Sequence, residues 1–342
     1  MKVDNVYLAG IGSWIPDRVG VDEAIADGRY DETLRASSGM ISVAVAGDVP
    51  APDMAIAAAR DALKHSGHEP DEIAALIHTP VFHQGPDIWS APHYILHNTV
   101  DRPVPAMELR QGCLGMITSL RFAANMLTAD PAAGPAVLVT AGDNFSTPGL
   151  DRWRVSSNYV LGDAGSAVVL SRRQGFAKLL SVASVSIPEA EVLHRGADPL
   201  FPPSITLGHP LDLEARTDHI RAQWAQGVAP PVFHLGDIVN ETVSAALADA
   251  GRTLDDITRV AHSAVAFDQI KNGFLDPLGI EESRGTWEFN RRVGHSGGTD
   301  QIVGLEHLLA SGALRPGDHV LLLAAAVGME VGCAVLEITD IP

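Results

Sequence analysis

The sequence predicts an α/β protein made of two related halves, with two stacked sheets and helices between and outside them. Three observations predict it. Strand-like and helix-like segments alternate along most of the 342 residues. The chain also repeats its own grammar. Ala58 to His78 reads as a helix, a Gly turn, Pro-Asp-Glu-Ile and a short apolar strand; Ser244 to His262 does the same, pairing Gly67 with Gly251 and His78 with His262. Finally, Glu108-Leu-Arg-Gln-Gly-Cys113 and Phe289-Asn-Arg-Arg-Val-Gly-His295 each run into a small-residue helix, which sets Gly112 against Gly294 and Cys113 against His295. Repeated halves pack about a pseudo-twofold axis, where equivalent positions converge. The repeat therefore predicts a thiol from one half facing an imidazole from the other, a nucleophile and its base.

Element by element, Asn5 to Ile11 reads as a strand. Met54 to His65 is a helix with Asp53 as its N-cap. Ile73 to His78 is a buried strand, and Ala91 to His97 a helix with Pro92 in its first turn. Pro105 to Leu109 is a strand leading to Cys113, Gly115 to Leu127 a central helix, and Ala136 to Ala141 a buried strand. Leu161-Gly-Asp-Ala-Gly-Ser166 turns into the strand Ala167 to Leu170. Residues 171 to 236 are proline-rich and weakly periodic, and are expected to form loops over a pocket. Beyond them, Asp237 to Asp249 and Thr299 to Leu309 are helices, and Arg259 to Ser263 and Val320 to Ala325 strands. Val327-Gly-Met-Glu-Val-Gly332 repeats the Gly162 to Gly165 turn. The halves divide at residues 1 to 170 and 171 to 342, and the sheets are expected to be largely parallel.

Composition narrows the function. Hydrophobic residues make up 46% and charged residues 19%, as in a well-buried globular chain. A formal charge of −18 argues against nucleic acid and anionic membrane as partners. Arg35, Arg152, Arg154, Arg291 and Arg292 are candidates for a local basic patch toward an acidic carrier, or for ordinary solvated surface. Two cysteines, Cys113 and Cys333, exclude a disulfide scaffold and fit a reducing cytoplasm. The N-terminal residues lack a signal-peptide core, and no apolar run reaches the ~18 residues of a membrane span. His93 and His97 have the i, i+4 spacing of metal ligands, but Tyr94 stands where a zinc-protease motif needs glutamate, so no metal is expected. Gly10-Ile-Gly12 lacks the third glycine of a dinucleotide fingerprint, and no cofactor is expected.

Cys113 follows a strand and opens a helix. Helix N–H groups and dipole stabilise a thiolate and an oxyanion on an attacked acyl carbon; the alternative is a small buried core cysteine. His295 sits in a loop of glycines, Gly294, Gly297 and Gly298, that lets the imidazole approach a reacting centre. Asp300, five residues on at a helix start, is placed to fix its tautomer, or merely to favour the helix by charge. His262 ends a buried strand, where active sites of α/β sheets lie, as a second acid/base or as a core histidine.

Cys113, the Gly162-Asp-Ala-Gly165 turn and the Val327-Gly-Met-Glu-Val-Gly332 turn together resemble β-ketoacyl-ACP synthase III of the thiolase superfamily, over nearly the whole length and in motif order. The resemblance implies a five-layered αβαβα fold, an obligate homodimer, an acyl-enzyme on Cys113, and acyl-CoA or acyl-carrier protein as substrate. It places His262 at the family's first active-site histidine and an oxyanion hole on the backbone N–H groups of Cys113 and Val327. The departures carry the functional reading. Condensing members have asparagine where this chain has His295, and His-Gln-Ala-Asn where it has His262-Ser-Ala-Val265. The Trp and Arg of their coenzyme A grip are not recognisable near Arg35 to Met40. The pattern Cys113, His295, Asp300 is instead similar to an offshoot with a Cys or Ser–His–Asp arrangement that acylates alcohols, amines or carriers in polyketide and glycoside pathways. A carboxylate-backed histidine suits an acceptor hydroxyl that must lose its proton. The expected function is transfer of an acyl group from a thioester through Cys113 to a small hydroxylated acceptor, a glycoside or polyketide. Decarboxylating condensation is the second reading and a non-catalytic thiolase-fold partner the third.

Overall fold

The computed structural model describes residues 1–229 and 233–342, so residues 230–232 of the proline-rich stretch lie outside the described residues. In chain order the strands are β1 Tyr7–Trp14, β2 Arg18–Gly20, β3 Ser42–Ala44, β4 Ile73–His78, β5 Ala106–Glu108, β6 Ala136–Asp143, β7 Ala164–Ser171, β8 Ala177–Ser186, β9 Ile257–His262, β10 His319–Ala326 and β11 Glu330–Ile338. The helices are α1 Val21–Ala26, α2 Glu32–Ser38, α3 Ala51–His65, α4 Ala91–Asn98, α5 Gly115–Ala129, α6 Val192–Arg195, α7 Leu213–Ala225, α8 Leu235–Ala250, α9 Phe267–Ile270, α10 Trp287–Asn290 and α11 Asp300–Ala310.

Nine strands are bonded in the order β5-β4-β6-β7-β1-β8-β11-β10-β9. The seam at the middle is thin. β1 pairs with β7 from Tyr7 to Trp14 but meets β8 only through Tyr7–Lys178 and Leu8–Ala177. The strands thus form two sheets joined at one corner. α3 packs on β1, β6 and β7, and α8 on β8 and β11, whereas α5 and α11 each touch strands of both sheets. The layers are α3, sheet, α5 with α11, sheet, α8: the five-layered αβαβα fold. The central layer explains the apolar run of β6, whose every residue is buried because both faces are covered. Fully burying a side chain such as Leu138 or Leu120 there contributes roughly 1.5–3 kcal/mol.

The structure corrects several expectations. Among the described residues only β4–β5, β4–β6 and β9–β10 are parallel strand pairs; β6–β7, β1–β7, β1–β8, β8–β11 and β10–β11 are antiparallel. Parallel neighbours need a crossover element, and none intervenes between β6 and β7 or between β10 and β11. Asp53 is not an N-cap: α3 starts at Ala51 after Pro50, and Asp53 lies in its first turn. The stretch after 171 is not only loops, since it holds β8 and α7. Among the described residues no helix is long and apolar enough to cross a membrane.

Candidate active site

The repeat brings Cys113 and His295 together as its symmetry requires. Each follows a glycine with a left-handed backbone, Gly112 at φ +53 and Gly294 at φ +84. A Cβ on Gly112 would lie 3.0 Å from Val327 Cγ2, and one on Gly294 would lie 3.0 Å from both the Val160 carbonyl and Val43 Cγ1. Gly112 is pressed against the Val327 side chain and Gly294 against the Val160 carbonyl, and at both the positive φ strains any residue with a side chain. His295 is pinned there by its own main chain, its N–H donating to Val160 O at 2.8 Å and its carbonyl accepting from Gly162 N at 2.9 Å. The Gly162 turn is thus the seat of the histidine loop. Beneath it Arg152 forks onto Asp163 at 3.0 and 2.9 Å, with both side chains buried.

The side chains form one continuous line. Cys113 Sγ is 2.9 Å from His295 Nε2, and His295 Nδ1 is 2.6 Å from Asp300 Oδ2. Asp300 Oδ2 also accepts the Ala264 N–H at 2.7 Å, while Oδ1 accepts the N–H and the hydroxyl of Ser296, each at 2.8 Å. Burial alone would push the His295 pKa down. The Cys113 and Asp300 charges beside it outweigh burial and hold it well above the ordinary histidine range. Burial likewise pushes the Asp300 carboxyl up, and the His295 cation with the Ala264 and Ser296 donors overcomes it, leaving the carboxyl below its usual range. Such an arrangement places a proton acceptor beside the thiol and can move a proton on and off Nε2.

Cys113 and His295 open onto a cavity of about 1040 Å³, which Val327, Met329, Tyr159 and Ser263 also line. The Tyr159 ring meets the imidazole edge-on, with centroids 5.0 Å apart. Val327 belongs to the turn between β10 and β11, where Gly328 and Met329 both have positive φ and the Gly328 N–H donates to His194 Nδ1 at 3.3 Å. The backbone N–H groups of Cys113 and Val327 have no acceptor among the described residues.

The other candidates lie elsewhere. His262 is fully buried, and its hydrogen-bond partners among the described residues do not include the thiol. Its Nδ1–H donates to Ser263 O at 2.9 Å and its Nε2 accepts the Thr286 N–H at 3.2 Å, so both nitrogens are occupied by main chain. Burial pushes its pKa down. His78 is equally enclosed, with Thr140 Oγ1 and Gln84 Oε1 each at 3.0 Å, and burial pushes its pKa down to about 4. His93 pairs with Ser90 and His97 with Asp101, separately. Among the described residues no cluster of three or more such side chains is arranged to hold a metal ion. Arg152 belongs to no surface patch, being buried against Asp163; Arg154 reaches the Gly28 carbonyl, and Arg35 and Arg291 line a separate small cleft. Sequence reasoning did not single out Tyr159, His194, Ser263 or Gln301. Three of them sit in loops or a short helix without periodicity, and Gln301 reads as one more residue of a helix.

Comparison with known proteins places the chain in a family. The model of 3-oxoacyl-ACP synthase III matches residues 107–186, and that of its C-terminal part matches residues 247–338. The chain is 29% identical to β-ketoacyl-ACP synthase III 3 of Streptomyces coelicolor over 340 residues, covering 96% of each chain. The solved structure of the acyltransferase ChlB3 is similar at a TM-score of 0.91 and 38% identity, covering 98% of each chain. The synthase III of Aquifex aeolicus shares the fold at a TM-score of 0.76 and 18% identity, covering 97% of this chain and 99% of its own. On this evidence the chain belongs to the 3-oxoacyl-ACP synthase III family of the thiolase superfamily and is an enzyme of the transferase type, in a family that transfers or condenses acyl groups held as thioesters.

Proposed function

We propose that this enzyme moves an acyl group from a CoA or carrier-protein thioester, through an acyl-enzyme on Cys113, to an acceptor hydroxyl, forming an ester. The observation that carries the reading is the unbroken line Cys113, His295, Asp300, at 2.9 and 2.6 Å. The thiolate attacks the thioester carbonyl, and the oxyanion is held by the N–H groups of Cys113 and Val327. The donor's carbon–sulfur bond breaks, and its thiol leaves with the proton from His295. Having given up that proton, the ring is left as a neutral base, and acylation has removed one of the charges that raise its pKa. The acceptor hydroxyl gives its proton to Nε2 as its oxygen attacks, and Cys113 departs as thiolate. His262 takes no part in proton transfer.

The occupied nitrogens of His262 also favour transfer over decarboxylating condensation, which needs two donors converging on the thioester oxygen of the enolate. Likeness to ChlB3, named an acyltransferase, supports the same choice. A malonyl thioester labelled in both carboxyl carbons, offered with a hydroxylated acceptor, tests it. The expected product is an ester retaining both labels; labelled carbon dioxide with a β-keto product would make the enzyme a condensing synthase.

We propose further that the enzyme is a homodimer. β5 is an unpaired sheet edge leading directly into Cys113, and Ile88, Met107 and Phe122 are exposed apolar side chains.

A further inference from the structure

Ser263 and Gln301 form a buried polar pair that the relay does not use. Ser263 is 2% exposed and lines the cavity with Cys113 and His295. Its main chain is clamped on both sides: its carbonyl accepts from His262 Nδ1, and the next residue, Ala264, donates to Asp300 Oδ2. Gln301 is wholly buried on α11 beside Asp300, and its Nε2 donates to Ser263 Oγ at 3.1 Å. Its Oε1 has no partner among the described residues. A buried amide with an unsatisfied oxygen costs free energy that an apolar side chain would not. What the arrangement achieves is directional. The amide N–H occupies the serine oxygen, and the hydroxyl proton is left for whatever fills the cavity.

We propose that Ser263 is a specificity-determining residue, positioned by Gln301, whose hydroxyl donates to an oxygen of the acyl group on Cys113, so that the enzyme takes an oxygen-bearing acyl group in preference to a plain alkyl chain. This rests on the acyl-enzyme reading above. An alkyl chain filling the cavity offers the hydroxyl no acceptor, whereas a keto or carboxylate oxygen offers one. Discrimination of this origin is on the order of ten- to a hundredfold. The cavity fits such a group, since Asn158, Gln269 and Asn272 line it together with apolar residues.

The test is competitive loading of Cys113, followed by intact mass, with N-acetylcysteamine thioesters in matched pairs: acetoacetyl against butyryl, and 4-oxopentanoyl against pentanoyl. The wild type is expected to favour the oxo member. Ser263→Ala should lower the oxo-to-alkyl ratio on the order of ten- to a hundredfold, and Gln301→Met should lower it in part by freeing the hydroxyl to turn. Ser263→Ala strands the Gln301 amide, so the double variant Ser263→Ala/Gln301→Met is read beside it. A ratio measured in competition does not depend on how much protein is folded. A ratio unchanged in both variants overturns the inference and leaves the acyl-enzyme standing. Failure of every thioester to load Cys113 overturns the acyl-enzyme itself and this inference with it.

Discussion

Two pairs of equivalent positions in the duplicated halves have diverged in opposite ways. At the strand ends the residue is the same, His78 on β4 and His262 on β9, and both rings are enclosed with each nitrogen bonded to a protein atom. At the turns into the central helices the residues differ, Cys113 and His295, and they face each other at 2.9 Å. Each imidazole of the strand-end pair, buried with two partners, ties a strand end to the loop beyond it. The helix-start pair sets a thiol against an imidazole, which complement each other as two thiols would not. In the mechanism proposed above, identity across the repeat marks architecture, and difference marks function.

The comparison breaks most sharply at the thiol. Cys113→Ala should abolish acyl loading while leaving the fold intact, read by intact mass and circular dichroism. Cys333, buried with its thiol pushed up to about 12, should stay unacylated in both proteins. Acyl mass appearing on the residue-113 peptide of the variant would remove the nucleophile from the account.

The histidines should separate next. His295→Ala is expected to slow transfer from the loaded enzyme by ~10²–10⁴. His262→Ala should instead lower the melting temperature, through about 1–3 kcal/mol for the stranded Thr286 N–H and Ser263 carbonyl, with transfer per folded molecule nearly unchanged. Single-turnover kinetics in which His262 is indispensable and His295 dispensable would invert the comparison.

The smallest effect sharpens rather than breaks it. The Asp300 carboxylate raises the His295 pKa, and the base must be neutral to act, so transfer is lost as pH falls through that pKa. Asp300→Asn removes the charge, lowers the pKa, and should move the acid limb of the transfer profile to lower pH. A limb that stays put, or moves upward, would show that Asp300 orients the ring without tuning it.

Much of this site was legible in the sequence because its constraints are local. Gly112 and Gly294 mark tight approaches, Asp300 follows His295 on one short loop, and β4 and β9 were bounded to within two residues of their observed limits. The missed features depend on distant partners. β8 carries Lys178, Ser181, Ser184 and Ser186 among its apolar residues, which blurs the run that marks a covered strand. Its place next to β1 comes from packing of the halves, not from local pattern. Arg152 reads as surface because nothing nearby in sequence announces Asp163 as a buried partner. Strand direction was misjudged for a similar reason: alternation of elements does not reveal which connections cross over. The role expected of His262 came from its place at a strand end, and its bond to the distant Thr286 N–H is not written in the local sequence.

The thin seam between β1 and β8 has a consequence for a chain still being made or partly opened. The thiol and its base lie 182 residues apart and come from different halves of the chain, and His295 is seated by backbone bonds to Val160 and Gly162 of the first half. A chain with only its first half formed therefore carries an ordinary cysteine, without a base beside it and without the Val327 turn. In the proposed mechanism, attack on a thioester therefore requires the second half to have docked, because only then do His295 and the Val327 turn stand beside Cys113.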